Sequence, residues 1–157
     1  MNLLHHWYCR SDGWAKIVQD YMLPNAFQGL DLGENALEIG PGPGRTTEWI
    51  RERVPALTAI EIDHDLAESL KTRMADTNVT VVEGDATKMP FPDASFTGAV
   101  CFTMLHHVPS AELQDRLLAE TCRVLKPGAA IAGSDSRTSF RFRLFHVMDT
   151  CVPIDAS

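Results

Sequence analysis

The chain has no paired-cysteine signature: its 4 cysteines, Cys9, Cys101, Cys122 and Cys151, stand far apart without a C-x-x-C. Such spacing indicates neither a metal site nor a disulfide framework, and reduced thiols are the default. Long hydrophobic runs are also missing, none approaching the ~20 residues of a membrane span. The first residues, with His5, His6, Trp7 and Arg10, lack the apolar core of a signal peptide, which points to a cytoplasmic protein. Without export, the glycosylation acceptor Asn78-Val79-Thr80 has no meaning. Positive charge is scarce, with 14 Lys and Arg against 21 Asp and Glu and a net charge of −7. Nucleic-acid binders present a basic face, so this balance argues against a polyanionic partner and favours small or cationic substrates. No repeat, low-complexity tract or linker is present, and 157 residues with 45% hydrophobic content suit one domain with its own core.

What the chain does have is a concentration of glycine. Residues 36 to 47, Ala-Leu-Glu-Ile-Gly-Pro-Gly-Pro-Gly-Arg-Thr-Thr, set Gly40, Gly42 and Gly44 at alternate positions behind a short apolar run and an acid, Glu38. Glycine lets the backbone turn sharply and lets a ligand lie against bare main chain. Pro41 and Pro43 stiffen the turn, and the flanks read as a strand before it and a helix after it, the context a cofactor loop requires. A dinucleotide site wants G-x-G-x-x-G, so that a pyrophosphate sits on the helix N-terminus. Here the pattern is G-x-G-x-G, and Thr47 occupies the slot of the third glycine. Glu38 also places negative charge where a pyrophosphate would approach, so the ligand is expected to be cationic and free of phosphate. A second acid, Glu61, ends the next apolar run about 20 residues on, where a carboxylate accepts ribose hydroxyls.

With these residues in view, the chain resembles the class I S-adenosylmethionine-dependent methyltransferases. Glu38 to Gly44 is similar to their first motif, and Ala59-Ile-Glu-Ile-Asp-His-Asp65 to the acidic motif closing their second strand. Val82-Glu-Gly-Asp-Ala-Thr-Lys-Met-Pro-Phe-Pro-Asp93 resembles the stretch whose acid, here Asp85, approaches the adenine amino group while the amide of Ala86 approaches the ring. Phe102-Thr-Met-Leu-His-His-Val108 resembles the end of the fourth strand, and Arg123-Val-Leu-Lys-Pro-Gly128 the turn before the fifth. The resemblance implies S-adenosylmethionine as cofactor, S-adenosylhomocysteine as product, and a cofactor site of Glu38, Gly40, Gly42, Gly44, Glu61, Ile62, Asp85, Ala86 and Thr103. No metal is implied.

The organisation is α/β, with strands and helices alternating as in a Rossmann-like, doubly wound, mostly parallel sheet of about five strands. Residues 1–35 read as a helical cap segment, with Trp14, Ile17, Val18, Tyr21 and Met22 at helical spacing and Ser11 or Asp12 as a cap. Residues 36–157 read as the cofactor-binding part of the same domain. Within it, strands are predicted at 36–39, 57–61, 79–82 and 99–102, and helices at about 44–53, 65–75 and 111–125. Asp63 and Asp65 read as caps of the second of these helices and Ser110 as that of the third. Gly128 is expected to close the last helix, leaving 129–133 as a fifth, buried strand. About 22 residues follow position 135, enough for one helix around Phe140 to Met148 but not for the family's C-terminal antiparallel hairpin. A fifth strand left at the edge exposes backbone groups, so the expectation is either a shortened chain or a second copy covering that edge.

Methyl transfer from a sulfonium is an in-line displacement, and a base is needed only if the nucleophile arrives protonated. His106 and His107 sit where the fourth strand opens toward the substrate and are candidates for that base. The plainer alternative is that one histidine packs under the adenine or caps a helix while the other is solvated. Asp85 has the alternative of a turn former, and Glu38 that of a helix cap or a partner for a surface lysine. Trp7 and Tyr8 read as a lid or as core, and Arg137, Arg141 and Arg143, with Phe140, Phe142 and Phe145 between them, as an amphipathic face or as solvated cations. A small-molecule acceptor is the preferred reading. Leu-Glu-Ile-Gly-Pro-Gly and Ala-Ile-Glu-Ile-Asp also look like RNA adenine dimethylases, but those enzymes are basic and carry an Asn-Leu-Pro-Tyr type of motif where this chain has Phe102-Thr-Met-Leu-His-His. A cofactor-binding but catalytically silent partner subunit is the reading of a different class.

Overall fold

The computed structural model describes residues 11–135 and 152. Among them, five strands form one parallel sheet in the order β3-β2-β1-β4-β5, with β1 at Asn35–Ile39, β2 at Ala56–Glu61, β3 at Val79–Glu83, β4 at Phe96–Phe102 and β5 at Leu125–Ser134. Helices α3 (Arg45–Ile50), α4 (His64–Arg73) and α5 (Ala111–Val124) connect them, preceded by α1 (Asp12–Ile17) and α2 (Leu23–Ala26). The central strands are short apolar runs because both of their faces are covered. In β1, Ala36 and Leu37 are fully buried, yet they belong to different clusters, since successive side chains point to opposite faces. One face packs Val18, Leu23, Ile50, Leu57 and Val100, with Ala59 against Leu70 and Met74 beside them. The other packs Leu37, Ile39, Ile60, Phe96, Leu117 and Val124. Gly98 is where β4 meets the chain entering β1: a Cβ there would lie 2.7 Å from the Leu32 carbonyl oxygen.

The caps on α4 and α5 are those the sequence indicates. The Asp63 carboxylate accepts from the Leu66 N–H at 3.0 Å and the Ser110 hydroxyl from the Leu113 N–H at 3.3 Å, each satisfying an otherwise unpaired first-turn donor. The N-terminal stripe differs from expectation. Val18 and Leu23 are buried, whereas Ile17 and Tyr21 are exposed. The reason is a π-helical turn over Val18–Met22, in which the Leu23 N–H reaches the Val18 carbonyl five residues back and carries the buried face with it.

The fifth strand also differs. It begins at Leu125, straight after α5, and Gly128 lies inside it at φ +81 rather than closing the helix. Pairing with β4 slips between Phe96↔Leu125 and Gly98↔Ala130, and the glycine sits in the slipped segment. Nor is β5 a buried strand: Ala132 is covered, but Ile131 is 49% exposed, because β5 ends the sheet order and has a described partner on one side only. Trp7, Tyr8, the cluster of Arg137, Arg141 and Arg143 and the helix anticipated around Phe140 to Met148 lie outside the described residues.

The strand order places the site. From β1 the sheet proceeds to β2 on one side and β4 on the other, so the connections leave in opposite directions and a crevice opens at the C-terminal ends of β1 and β4.

Candidate functional site

The turn after β1 is built by glycines with three different tasks. Gly40, Gly42 and Gly44 have φ of +62, +53 and +77, a region that L side chains disfavour. A Cβ on Gly40 would meet Cγ of Met104 at 2.1 Å, so this glycine lets the turn pass under the end of β4. On Gly44, which caps α3, it would meet Cδ1 of Leu70 at 2.4 Å and Nη2 of Arg73 at 2.8 Å, so that one lets α4 pack against the turn. Gly42 has nothing within 4 Å and is the bare main chain that faces open space. Arg73 fastens the turn from outside, donating Nη2 to the Pro43 carbonyl at 2.6 Å and Nη1 to Glu48 at 2.9 Å.

The two acids are placed very differently. Glu61, at the end of β2, accepts the Gly42 N–H on Oε2 at 2.9 Å and the Asp63 N–H on Oε1 at 3.1 Å, and it lines the cleft. Glu38 does not line the cleft. It lies behind the turn, 2% exposed, with Oε1 accepting the Thr46 hydroxyl. Burial pushes its pKa up to about 7, with the nearby Glu61 acting in the same direction and the Thr46 and Thr47 hydroxyls opposing it. It is not the helix cap or surface partner of the plain sequence alternative; it is a core acid under the loop.

The cleft measures about 530 Å³, within the ~300–1,000 Å³ usual for a small-molecule site. Its floor is the glycine turn with Glu61 and Ile62. One wall is Asp85, Ala86 and Thr87, and the other is Phe102, Thr103 and Met104 continuing into Val108 and Leu113. Ile62 is 69% exposed, an apolar side chain left open to the cavity it borders. Asp85 Oδ1 accepts the Thr87 N–H at 2.8 Å, so the turn-forming role holds while the residue still borders the cleft. Thr103 takes φ +49, an uncommon conformation for a threonine, and its N–H donates to the Ser134 carbonyl at 2.7 Å, tying β5 to the end of β4.

The two histidines diverge. His107 borders the cleft. His106 does not: it is 2% exposed, its Nδ1 pairs with Oδ1 of Asp135, and its ring lies 4.1 Å from that of His107 at a 40° tilt. As a candidate base His106 is therefore corrected to a buried group joining the turn after β4 to the end of β5. Solvation, the other alternative, is excluded for it by the same burial. The sequence signal for this division is faint, because adjacent residues in the short 3₁₀ turn Leu105–His107 share a pattern that favours neither.

Several functional supports escaped the sequence reading. Arg123 donates Nη2 to the Met89 carbonyl and Nη1 to the Phe91 carbonyl and Asp93, while Nε and Nη2 fork onto Glu120. Glu120 in turn accepts the Met89 N–H at 2.8 Å. This latch from α5 holds the loop that carries Asp85 and Ala86. Gln114 is buried and donates to the carbonyls of Leu105 and Val152. Thr46, which in the sequence pattern is only a helix residue, links Glu38 to the cleft wall. Among the described residues, no group of three His, Cys, Asp or Glu is arranged to hold a metal ion, and no helix is long and apolar enough to cross a membrane.

The chain is similar to known proteins in sequence and in fold. A family model described as a methyltransferase domain matches residues 37–133. The ribosomal RNA small subunit methyltransferase A of Vibrio vulnificus is 48% identical over 61 residues, which cover 38% of this chain and 22% of that protein. A protein of Pyrobaculum aerophilum named "Probable ribosomal RNA small subunit methyltransferase A" is 33% identical over 122 residues, 71% of this chain and 51% of the other. The chain thus spans about half or less of the length of these curated relatives. In fold, a SAM dependent methyltransferase from Aquifex aeolicus superimposes with a TM-score of 0.71 at 18% identity, covering 87% of this chain and 74% of that one.

Proposed function

The chain belongs to the methyltransferase-domain family, and from that premise we propose that it binds S-adenosylmethionine in the cleft at the ends of β1, β2 and β4 and transfers its methyl group to a small-molecule acceptor. The observation that carries this reading is the bond from the Gly42 N–H to Glu61. In a phosphate-binding turn, the loop N–H groups remain available to the anion. Here a carboxylate already occupies the Gly42 donor, so a pyrophosphate meets negative charge and a cationic nucleoside meets attraction. When bound, the cofactor supplies a methyl group made electrophilic by its sulfonium.

The chain's own residues do the rest. Glu61 has lone pairs left beyond its two backbone donors and accepts ribose hydroxyls with them. Gly42 offers bare main chain, Ile62 an apolar face for the base, and Asp85 with the Ala86 amide its polar edge. Gly44 and Glu38 support the turn from behind, and Gly40 and Thr103 border the cleft that would hold the cofactor. Alignment of nucleophile and methyl group in such a cleft is worth ~7–11 kcal/mol of barrier. His107, on the cleft wall, takes the proton from an acceptor that arrives as a hydroxyl or ammonium.

The small-molecule class rests on the net charge of −7 and on Phe102-Thr-Met-Leu-His-His at the end of β4, which offers no Asn-Leu-Pro-Tyr type of motif for a flipped base. One observation favours RNA instead, the local identity to ribosomal RNA methyltransferases. Calorimetry with S-adenosylmethionine and with NAD tests the cofactor, and methyl transfer to metabolite fractions and to ribosomal RNA tests the acceptor. Transfer to metabolites with salt-insensitive activity is the expected result. Tight RNA binding with a steep salt slope replaces it by the RNA reading, and binding without any turnover by a silent partner subunit. Among the described residues β5 is paired on one side only, which suits pairing with a second copy, a matter light scattering decides, and the free thiols of Cys101 and Cys122 suit the cytoplasm.

A further inference from the structure

Two carboxyl groups flank the glycine turn in opposite states of satisfaction. Each oxygen of Glu61 receives a backbone N–H. Glu38, on the neighbouring strand, has one oxygen on the Thr46 hydroxyl, while the other, fully buried, has no hydrogen-bond partner among the described residues. The titratable and polar groups that face it are the Thr46 and Thr47 hydroxyls from α3 and Glu61 from β2, while the buried Cys101 thiol of β4, on the other face of the sheet, feels its charge only weakly. An ionised carboxylate there is poorly supported, since burial away from water outweighs the two threonine hydroxyls that favour the charge. A fixed cation entering the cleft supplies what is lacking, and the Thr46 hydroxyl, which bonds Glu38 and borders the cleft, links the two.

On the reading that this cleft holds S-adenosylmethionine, we propose that Glu38 determines specificity between cofactor and product by matching charge: it is protonated when the cleft is free or holds the uncharged thioether, and it ionises when the sulfonium binds. The bond that breaks is the carboxylic O–H of Glu38, and the proton leaves to solvent by way of the Thr46 hydroxyl, which touches both Glu38 and the cleft. Methyl transfer turns the sulfonium into a thioether, the positive charge leaves with the methyl group's departure, and Glu38 takes a proton back from solvent by the same Thr46 route. The product is thereby bound by one electrostatic interaction fewer than the cofactor. The pKa of about 7 puts this exchange in the neutral range.

The test is calorimetric titration of the full chain with S-adenosylmethionine and with S-adenosylhomocysteine at pH 7, in two buffers of different ionisation enthalpy. About half a proton is released per cofactor and none per product, and cofactor affinity rises about tenfold from pH 6 to pH 8 while product affinity stays level. Glu38→Gln, which keeps an acceptor for Thr46, abolishes both effects. Equal release with the two ligands, or release that persists in Glu38→Gln because it comes from the cofactor's own amino group, overturns the proposal. Should Glu38→Gln not fold, the contrast between cofactor and product in the unaltered chain decides alone. Binding of both ligands without proton exchange removes only this inference, whereas failure of S-adenosylmethionine to bind removes the cofactor reading itself and this inference with it.

Discussion

His106 and His107 are neighbours in the chain with rings 4.1 Å apart, yet one is buried against Asp135 and the other borders the cleft. Replacing each therefore has a different consequence. His106→Ala removes a fully buried ring and its bond to Asp135, and lowers stability by about 2–4 kcal/mol. His107→Ala costs less than about 1 kcal/mol, as expected for a partly exposed site, and slows transfer to a hydroxyl acceptor by about 10²–10⁴-fold. Urea unfolding and turnover of the two variants separate the roles, and a loss of stability in His107→Ala equal to that in His106→Ala contradicts the assignment.

Glu61 joins the turn after β1 to the end of β2, and its proposed role as ribose acceptor is directly testable. Glu61→Ala is expected to weaken S-adenosylmethionine binding by about 1–3 kcal/mol, because buried hydroxyls lose their partner. Calorimetric affinity is the measurement, and an unchanged value places the ribose elsewhere.

The three turn glycines respond differently to a methyl group. Gly40→Ala brings Cβ onto Met104 and strains φ together, costing about 2–4 kcal/mol in a denaturant midpoint measurement. Gly42→Ala meets no protein atom, so it loses only the ~1 kcal/mol of a left-handed alanine while cofactor affinity falls sharply. Wild-type affinity in Gly42→Ala would show that no ligand lies against this residue.

Glu38 also links stability to pH. It binds a proton more tightly in the folded chain, at a pKa of about 7, than at its ordinary 4.5. Between those values the folded state holds the extra proton, so stability falls as pH rises from about 4.5 to 7 and is level outside that window. The loss is about 3 kcal/mol, and Glu38→Gln removes it. Thermal unfolding of both proteins from pH 4 to 8 shows it as converging stabilities at the acid end. A Glu38→Gln curve parallel to that of the unaltered chain across the window contradicts it.

The parts of this protein legible in its sequence are those where one residue's local requirement dictates the backbone. Alternate glycines demanded a turn of positive φ, the apolar runs of β1, β2 and β4 demanded covered parallel strands, and Asp63 and Ser110 declared the starts of α4 and α5. Glu61, Ile62, Asp85, Ala86 and Thr103, named from family likeness, border one cavity. Tertiary structure decided which way the side chains look. Glu38 went under the turn, His106 turned from the cleft toward Asp135, and Gly128 moved from a helix end into a slipped strand. Arg123 reached back some 30 residues to hold the Asp85 loop. The reason is physical: conformational preference is a property of a few consecutive residues, whereas burial, and with it the protonation of Glu38, is set by whatever distant chain happens to lie alongside.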